Sequence, residues 1–300
     1  MKRAHCWKEL CEHRHASDTY LMVKEPQVVT QRIALGIEYD GAAFHGWQRQ
    51  SSPTLLTVQA ALEQALSQVA NHPVFTVCAG RTDTGVHATA QVVHFDAEID
   101  RGEKAWIQGG NSLLPAAARI RWAKSVSDKF HARFSARHRR YRYVIQESFV
   151  EPAILARQLT HTRLRLDVGR MDEAAQHLLG ERDFSSFRAA GCQSRTPWRE
   201  IMHLRVRRKG PYVVIDIQAN AFLQHMVRNI AGVLLEIGSG NQPADWARQV
   251  LESRDRSVAA VTAKPYGLYL VGVDYPAEFE LPRVAPGPEF LQDDFEFVIG

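Results

Sequence analysis

The chain has 300 residues, more than one hydrophobic core usually spans, so two lobes are expected; 45% hydrophobic and 23% charged side chains are the mix of a folded globular chain. A formal charge of +4, four cysteines and no run of 18 apolar residues argue against a membrane-spanning or disulfide-framed protein and favour a reducing, cytoplasmic setting. The first thirty residues hold no apolar segment of the kind a secretory signal needs.

In chain order, residues 1–31 read as a flexible N-terminal extension. Cys6, Cys11, His13 and His15 lie there without the spacing of a compact zinc finger, so no metal site is expected. Residues 33–39 form the first convincing strand, and Asp40-Gly41 turns the chain after it. Thr57 is placed to cap a helix whose apolar stripe is Val58, Ala61, Leu62, Ala65, Leu66 and Val69. Strands are expected at 74–78, 91–95 and 120–126, with a helix around 103–112 that ends before Pro115. Strand–helix–strand twice over is the order of a split βαβ, ferredoxin-like unit.

The second half carries related elements. Strands are expected at 139–146, 201–208 and 212–219, with Met202, Leu204 and Val206 sharing one face of the second. Helices are expected at 171–179, along the stripe Phe222, Met226, Ile230, Val233, Leu234 and Ile237, and at 244–251; a strand at 268–273 closes the series. The fold class is therefore α+β: two similar ferredoxin-like α/β lobes, 32–145 and 146–275, whose antiparallel sheets leave a basic cleft between two open faces. Residues 276–300 form an acidic tail.

The charge is uneven. From Pro276 onward Glu278, Glu280, Glu289, Asp293, Asp294 and Glu296 face a single base, Arg283. Upstream, Arg133, Arg137, Arg139, Arg140 and Arg142 crowd together, and Arg199, Arg205, Arg207, Arg208 and Lys209 form a second group. Guanidinium groups pair with phosphates, and the interleaved rings of Phe134, Tyr141 and Tyr143 offer stacking faces, so a phosphate-rich partner is favoured over a solvated surface. Charge by itself does not separate RNA from DNA.

The stretch from Ala79 to His87 is the most informative. Gly80 and Gly85 bracket four polar residues, so the loop can turn tightly and set a carboxylate beside a guanidinium. It lacks the spacing of a phosphate-cradling loop. Read from the residues alone, Asp83 either caps a turn, pairs with Arg81, or stands as an ionised nucleophile or base aimed into a cleft.

AGRTDTGVHATAQVVHF, beginning at Ala79, resembles the signature of the bacterial tRNA pseudouridine synthase A family, with threonine at position 84 where alanine is common. IALGIEYDGAAFHGWQRQ from Ile33, FHARFSARHRRYRY from Phe130, SFRAAGCQSRTPWR from Ser186, NAFLQHMVRNIAG from Asn220 and GLYLVGVDY from Gly267 are similar as well, in the same order. The resemblance implies the pseudouridine synthase fold and isomerisation of uridine to pseudouridine at nucleotides 38, 39 and 40 of the tRNA anticodon stem-loop. It implies a homodimer acting without metal or organic cofactor.

Carried over residue by residue, it assigns Asp83 as the catalytic carboxylate and Arg228 as its basic partner. Tyr141 would stack on the target uracil, with Leu268 packing on the other side of the base, and Arg81 would assist flipping of the nucleotide. His87, Arg139 and Arg140 would hold phosphates. A competing reading is a non-catalytic tRNA-binding protein on the same scaffold. A base hydrolase would use a carboxylate similarly but has little need of extended basic surfaces.

Overall fold

The computed structural model describes residues 30–50 and 55–291. The cysteine–histidine group near the N-terminus and the last residues of the acidic tail lie outside the described residues.

Alternating apolar residues build β1 (Gln31–Tyr39), whose Ile33, Leu35, Ile37 and Tyr39 all point into the core. Thr57 caps α1 (Val58–Ala70) by accepting from Ala60 N, as its position before the apolar stripe predicts. β2 (Val77–Cys78), β3 (His87–Ala97), α2 (Gly102–Leu113) and β4 (Ala118–Val126) complete the first half. The second half runs β5 (His138–Glu147), β6 (Thr160–Thr162), α3 (Val168–Gln176), β7 (Gly180–Asp183), β8 (Trp198–Lys209), β9 (Tyr212–Ala219), α4 (Met226–Gly238), α5 (Trp246–Ser253) and β10 (Leu268–Asp274).

The class is α+β, with a large, mostly antiparallel sheet. Its strand order is β4-β1-β3-β10-β5-β9-β8-β7, with β2 on β3 and β6 on β5. The two halves therefore do not present separate sheets to each other across a cleft: β10, the last strand in sequence, lies between β3 and β5 and welds both halves into one sheet. It runs parallel to β3 and antiparallel to β5, so its backbone groups are satisfied on both edges.

One core cluster runs along the helix-bearing face. It joins Leu62 and Leu66 of α1 and Trp106 of α2 to Ile230, Leu234 and Ile237 of α4 and Val250 of α5. The opposite face is covered by connecting chain: Phe130 and Ala132 pack with Ala34 and Val92, while Leu291 packs with Val144, Tyr269 and Val271. Described residues of the tail thus dock across the sheet through their apolar side chains.

Several local expectations are corrected. The strand at 74–78 shrinks to two paired residues, and β3 begins four residues early at His87. A register shift between Ile201 and His203 of β8 turns Met202 outward, leaving Ile201, Leu204 and Val206 as the inward set. Phe222 precedes α4 rather than joining it, because the helix begins only after a left-handed residue, His225, at φ 63°.

Candidate active site

The chain from Ala79 to Val86 links β2 to β3 and is fastened at Ala79, Gly80, Thr82 and Val86. Ala79 N donates to Val92 O at 2.8 Å, and Ala79 O accepts from Arg139 Nη2 at 3.0 Å. Gln91 Nε2 donates to Gly80 O at 2.6 Å. The Thr82 and Tyr39 hydroxyls are bonded at 2.8 Å, and Trp47 N donates to Thr82 O at 3.0 Å. Trp47, fully buried, is thus both core and loop anchor. Gly85 takes φ +81°, and a Cβ there would press against Pro265 and Tyr266 at 3.0 and 3.1 Å, so glycine lets the loop lie on that neighbouring segment.

At the apex, Asp83 is about one-third exposed and faces α4. Arg228 Nη1 donates to its Oδ2 at 3.4 Å, and His225 Nε2 stands 3.3 Å from the same oxygen. Oδ1 receives no hydrogen bond among the described residues. Arg228 is itself held: its Nε donates to Ala263 O at 2.9 Å, and its carbonyl accepts from Ala263 N at 3.2 Å. The 263–267 segment is fixed in turn by the Tyr143 hydroxyl, which donates to Lys264 O at 2.9 Å. The start of α4 adds a favourable field for a carboxylate, since helix N-termini carry partial positive charge.

Tyr141 of β5 lies on the same face. Its ring meets Phe222 edge-on at 5.1 Å, and its hydroxyl has no hydrogen-bond partner among the described residues. Burial pushes the phenol well above its ordinary range, with the charge of Asp83 adding to the effect, so it stays protonated. Leu268 is buried where β10 pairs with β5, opposite Tyr143.

Not every expected residue arrives here. Arg81 is exposed near the loop and makes no hydrogen bond or ion pair among the described residues. Arg139 is half-buried and donates to the carbonyls of Ala79, Arg133, Ala136 and Asn220, which uses its guanidinium in structure. Arg140 points to the opposite side of the sheet, where Nε and Nη2 grip Asp216 at 2.7 Å each. Arg142 joins that carboxylate at 3.0 Å. Burial alone would raise the Asp216 carboxyl, but the two guanidinium groups hold it below its usual range. His87 is buried and stacked on Tyr269 at 4.6 Å, with Nδ1 3.0 Å from Asp40 and Nε2 2.9 Å from Arg157 O, so it offers no free edge to a phosphate.

In the first arginine cluster, Arg133 and Arg137 remain exposed without a carboxylate partner among the described residues, and Arg133 lies over the exposed ring of Phe134. In the second, Arg205 pairs with Asp172 and Arg208 with Glu147. Among the described residues no group of three or more His, Cys, Asp or Glu side chains is arranged to hold a metal ion, and no helix is long and apolar enough to cross a membrane.

His225 and Phe222 also belong to this site, although neither the motif nor the periodicity assigns them to it. A signal existed for the first: His225 and Arg228 are three apart at a helix start and so share a face.

A pinned loop presenting one carboxylate to an arginine, beside a protonated phenol, is an arrangement suited to acid–base or nucleophilic chemistry in an α+β protein. A family model described as tRNA pseudouridine synthase matches residues 36–135 and 174–276. Over 262 residues the chain is 58% identical to the tRNA pseudouridine synthase A of Cronobacter sakazakii, covering 87% of this chain and 96% of that one. It is 56% identical over 272 residues to the protein of the same name from Escherichia fergusonii, covering 91% of this chain and all of that one. The chain belongs to the tRNA pseudouridine synthase family, a family of isomerases.

Proposed function

We propose that this protein isomerises uridine to pseudouridine in tRNA, at nucleotides 38, 39 and 40 of the anticodon stem-loop, with Asp83 as the catalytic carboxylate. The observation that carries this reading is the pairing of Asp83 with Arg228 beside the open Tyr141 hydroxyl, in a chain of this family. The enzyme acts in the cytoplasm as a homodimer and needs no metal or organic cofactor.

The chemistry breaks the bond from N1 of uracil to C1′, forms one from C5 to C1′, releases the C5 proton and leaves N1 protonated, so the formula is unchanged. Nothing is oxidised, so a carboxylate suffices to organise it. Asp83 reaches C1′, C6 of the ring, or the 2′ proton, and all three routes regenerate the free carboxylate. Arg228 holds the Asp83 rotamer and offsets its charge, which matters because misplacement by about an ångström costs roughly 10²-fold. Tyr141 stacks on the detached uracil, an interaction worth about 1–3 kcal/mol, and Leu268 closes the other side. The target nucleotide must leave its stack first, at a cost of a few kcal/mol that is smallest near a loop. Arg81, exposed in the loop and without an ion-pair partner among the described residues, assists that step.

The test is proton release from C5-labelled uridine in an anticodon stem-loop by wild type and by D83N. Release by wild type and none by D83N, with RNA binding kept, is expected. Equal release by both removes Asp83 from the chemistry; binding without release by either leaves a non-catalytic tRNA-binding protein.

A further inference from the structure

We infer that His225 is a positioning residue for the isomerisation, holding Asp83 Oδ2 together with Arg228 so that Oδ1 is the oxygen presented to the nucleotide. The inference deepens the proposed function and rests on it.

Three observations converge on residue 225. First, His225 Nε2 and Arg228 Nη1 approach one and the same carboxylate oxygen, at 3.3 and 3.4 Å, from the N-cap and the first turn of α4. Two groups on Oδ2 hold that oxygen from two directions, which restrains the side-chain rotamer more tightly than one contact would. With Oδ2 occupied twice, Oδ1 is the only oxygen left to reach a substrate atom. The His225 contact stands at ion-pair distance, and such contacts tighten when a substrate closes the site.

Second, His225 has φ 63° and ψ 2°, a left-handed conformation uncommon among non-glycine residues, though histidine adopts it more readily than most. Strain of this kind persists where surrounding structure over-determines it and is concentrated at functional positions. Third, His225 occupies the N-cap of α4 yet makes no capping hydrogen bond. Asparagine would tolerate the left-handed backbone as histidine does and is the better helix cap, so the helix end does not by itself call for histidine. The His225 side chain makes no polar contact among the described residues other than the one to Asp83.

The test compares H225G and H225Q with wild type in the C5 proton-release assay, under single-site saturation with an anticodon stem-loop. Glycine relieves the left-handed backbone, so H225G folds with a melting temperature no lower than wild type while lacking the donor. Its kcat is expected to fall about 10- to 100-fold, with KM changed by less than about threefold. H225Q, which restores an N–H donor at similar reach, is expected to recover most of that loss. H225G with wild-type kcat overturns the inference, as does a raised KM at unchanged kcat, which would make residue 225 an RNA contact. H225Q as impaired as H225G overturns it too. If wild type itself releases no proton the proposed function fails and takes this inference with it, whereas an active wild type with an active H225G sinks this inference alone.

Discussion

Arg139 places one guanidinium on four backbone carbonyls, among them Ala79 O at 3.0 Å and Asn220 O at 3.0 Å, and so ties the entrance of the Asp83 loop to the segment that leads into α4. Burial lowers its pKa from the arginine value, which still leaves it charged. Lysine has a point charge without the fork and cannot serve four acceptors. R139K is expected to lower stability by about 1–3 kcal/mol, measured by chemical denaturation, and to lower kcat with it.

Arg140 leads to a different expectation from its neighbour's place in the sequence. R140A leaves Asp216 to Arg142, with His203 Nε2 3.8 Å away, and should cost about 1–2 kcal/mol of stability, while the salt dependence of tRNA binding stays as in wild type. The double variant R133A/R137A removes the exposed pair instead. It should flatten the slope of log K against log salt by about 1.5 and leave stability unchanged.

Because the Tyr141 hydroxyl bonds to no described residue, Y141F should fold as stably as wild type. Any loss of kcat in Y141F then reports hydroxyl chemistry. Y141A adds the loss of the stacking face, about 1–3 kcal/mol read as product and intermediate retention.

Gly46 takes φ +85°, and a Cβ there would lie 3.1 Å from Thr82 O and 3.3 Å from Thr84 N. G46A should therefore destabilise by about 1 kcal/mol or more and push on the residues flanking Asp83. The expected readout is a fall in kcat larger than the fall in the folded fraction; an unchanged kcat would show that the loop absorbs the push.

His94 is buried, accepts from Ala132 N at 3.1 Å, and has its pKa lowered to about 4 by burial and by the charges of Arg32 and His131, against a smaller opposing effect of Asp96. Its unfolded value is near 6.5. Protonation therefore favours the unfolded chain: stability is fully present above about pH 6.5 and is lost as pH falls towards 4. H94N keeps an acceptor for Ala132 N without the titration. The denaturation midpoint of wild type should fall more steeply than that of H94N across this window, and parallel curves would exclude His94 as the cause.

Local signals were legible where a single residue type answers a local need. Thr57 capping α1, the apolar stripes of α1 and α4, and the glycine-bracketed loop carrying Asp83 could be read directly, because caps and periodicities depend on residues within a few positions. The spacing of Phe222 fits the α4 stripe, but the left-handed turn at His225 breaks that continuity, and no short-range pattern marks it.

The sequence by itself determined the family, the α+β class and the candidate carboxylate. The tertiary structure decided which cations meet Asp83. Arg139, Arg140 and Arg142 are nearly identical by composition, yet alternation along β5 sends Arg139 to the face of Tyr141 and the other two to Asp216 on the far side. Arg228 and Asp83 are 145 residues apart, and β10 inserts between β3 and β5 to weld the two halves together. Strand pairing and burial are long-range, cooperative choices, so a charge run in the sequence states how many cations exist and the packed chain states which of them are free.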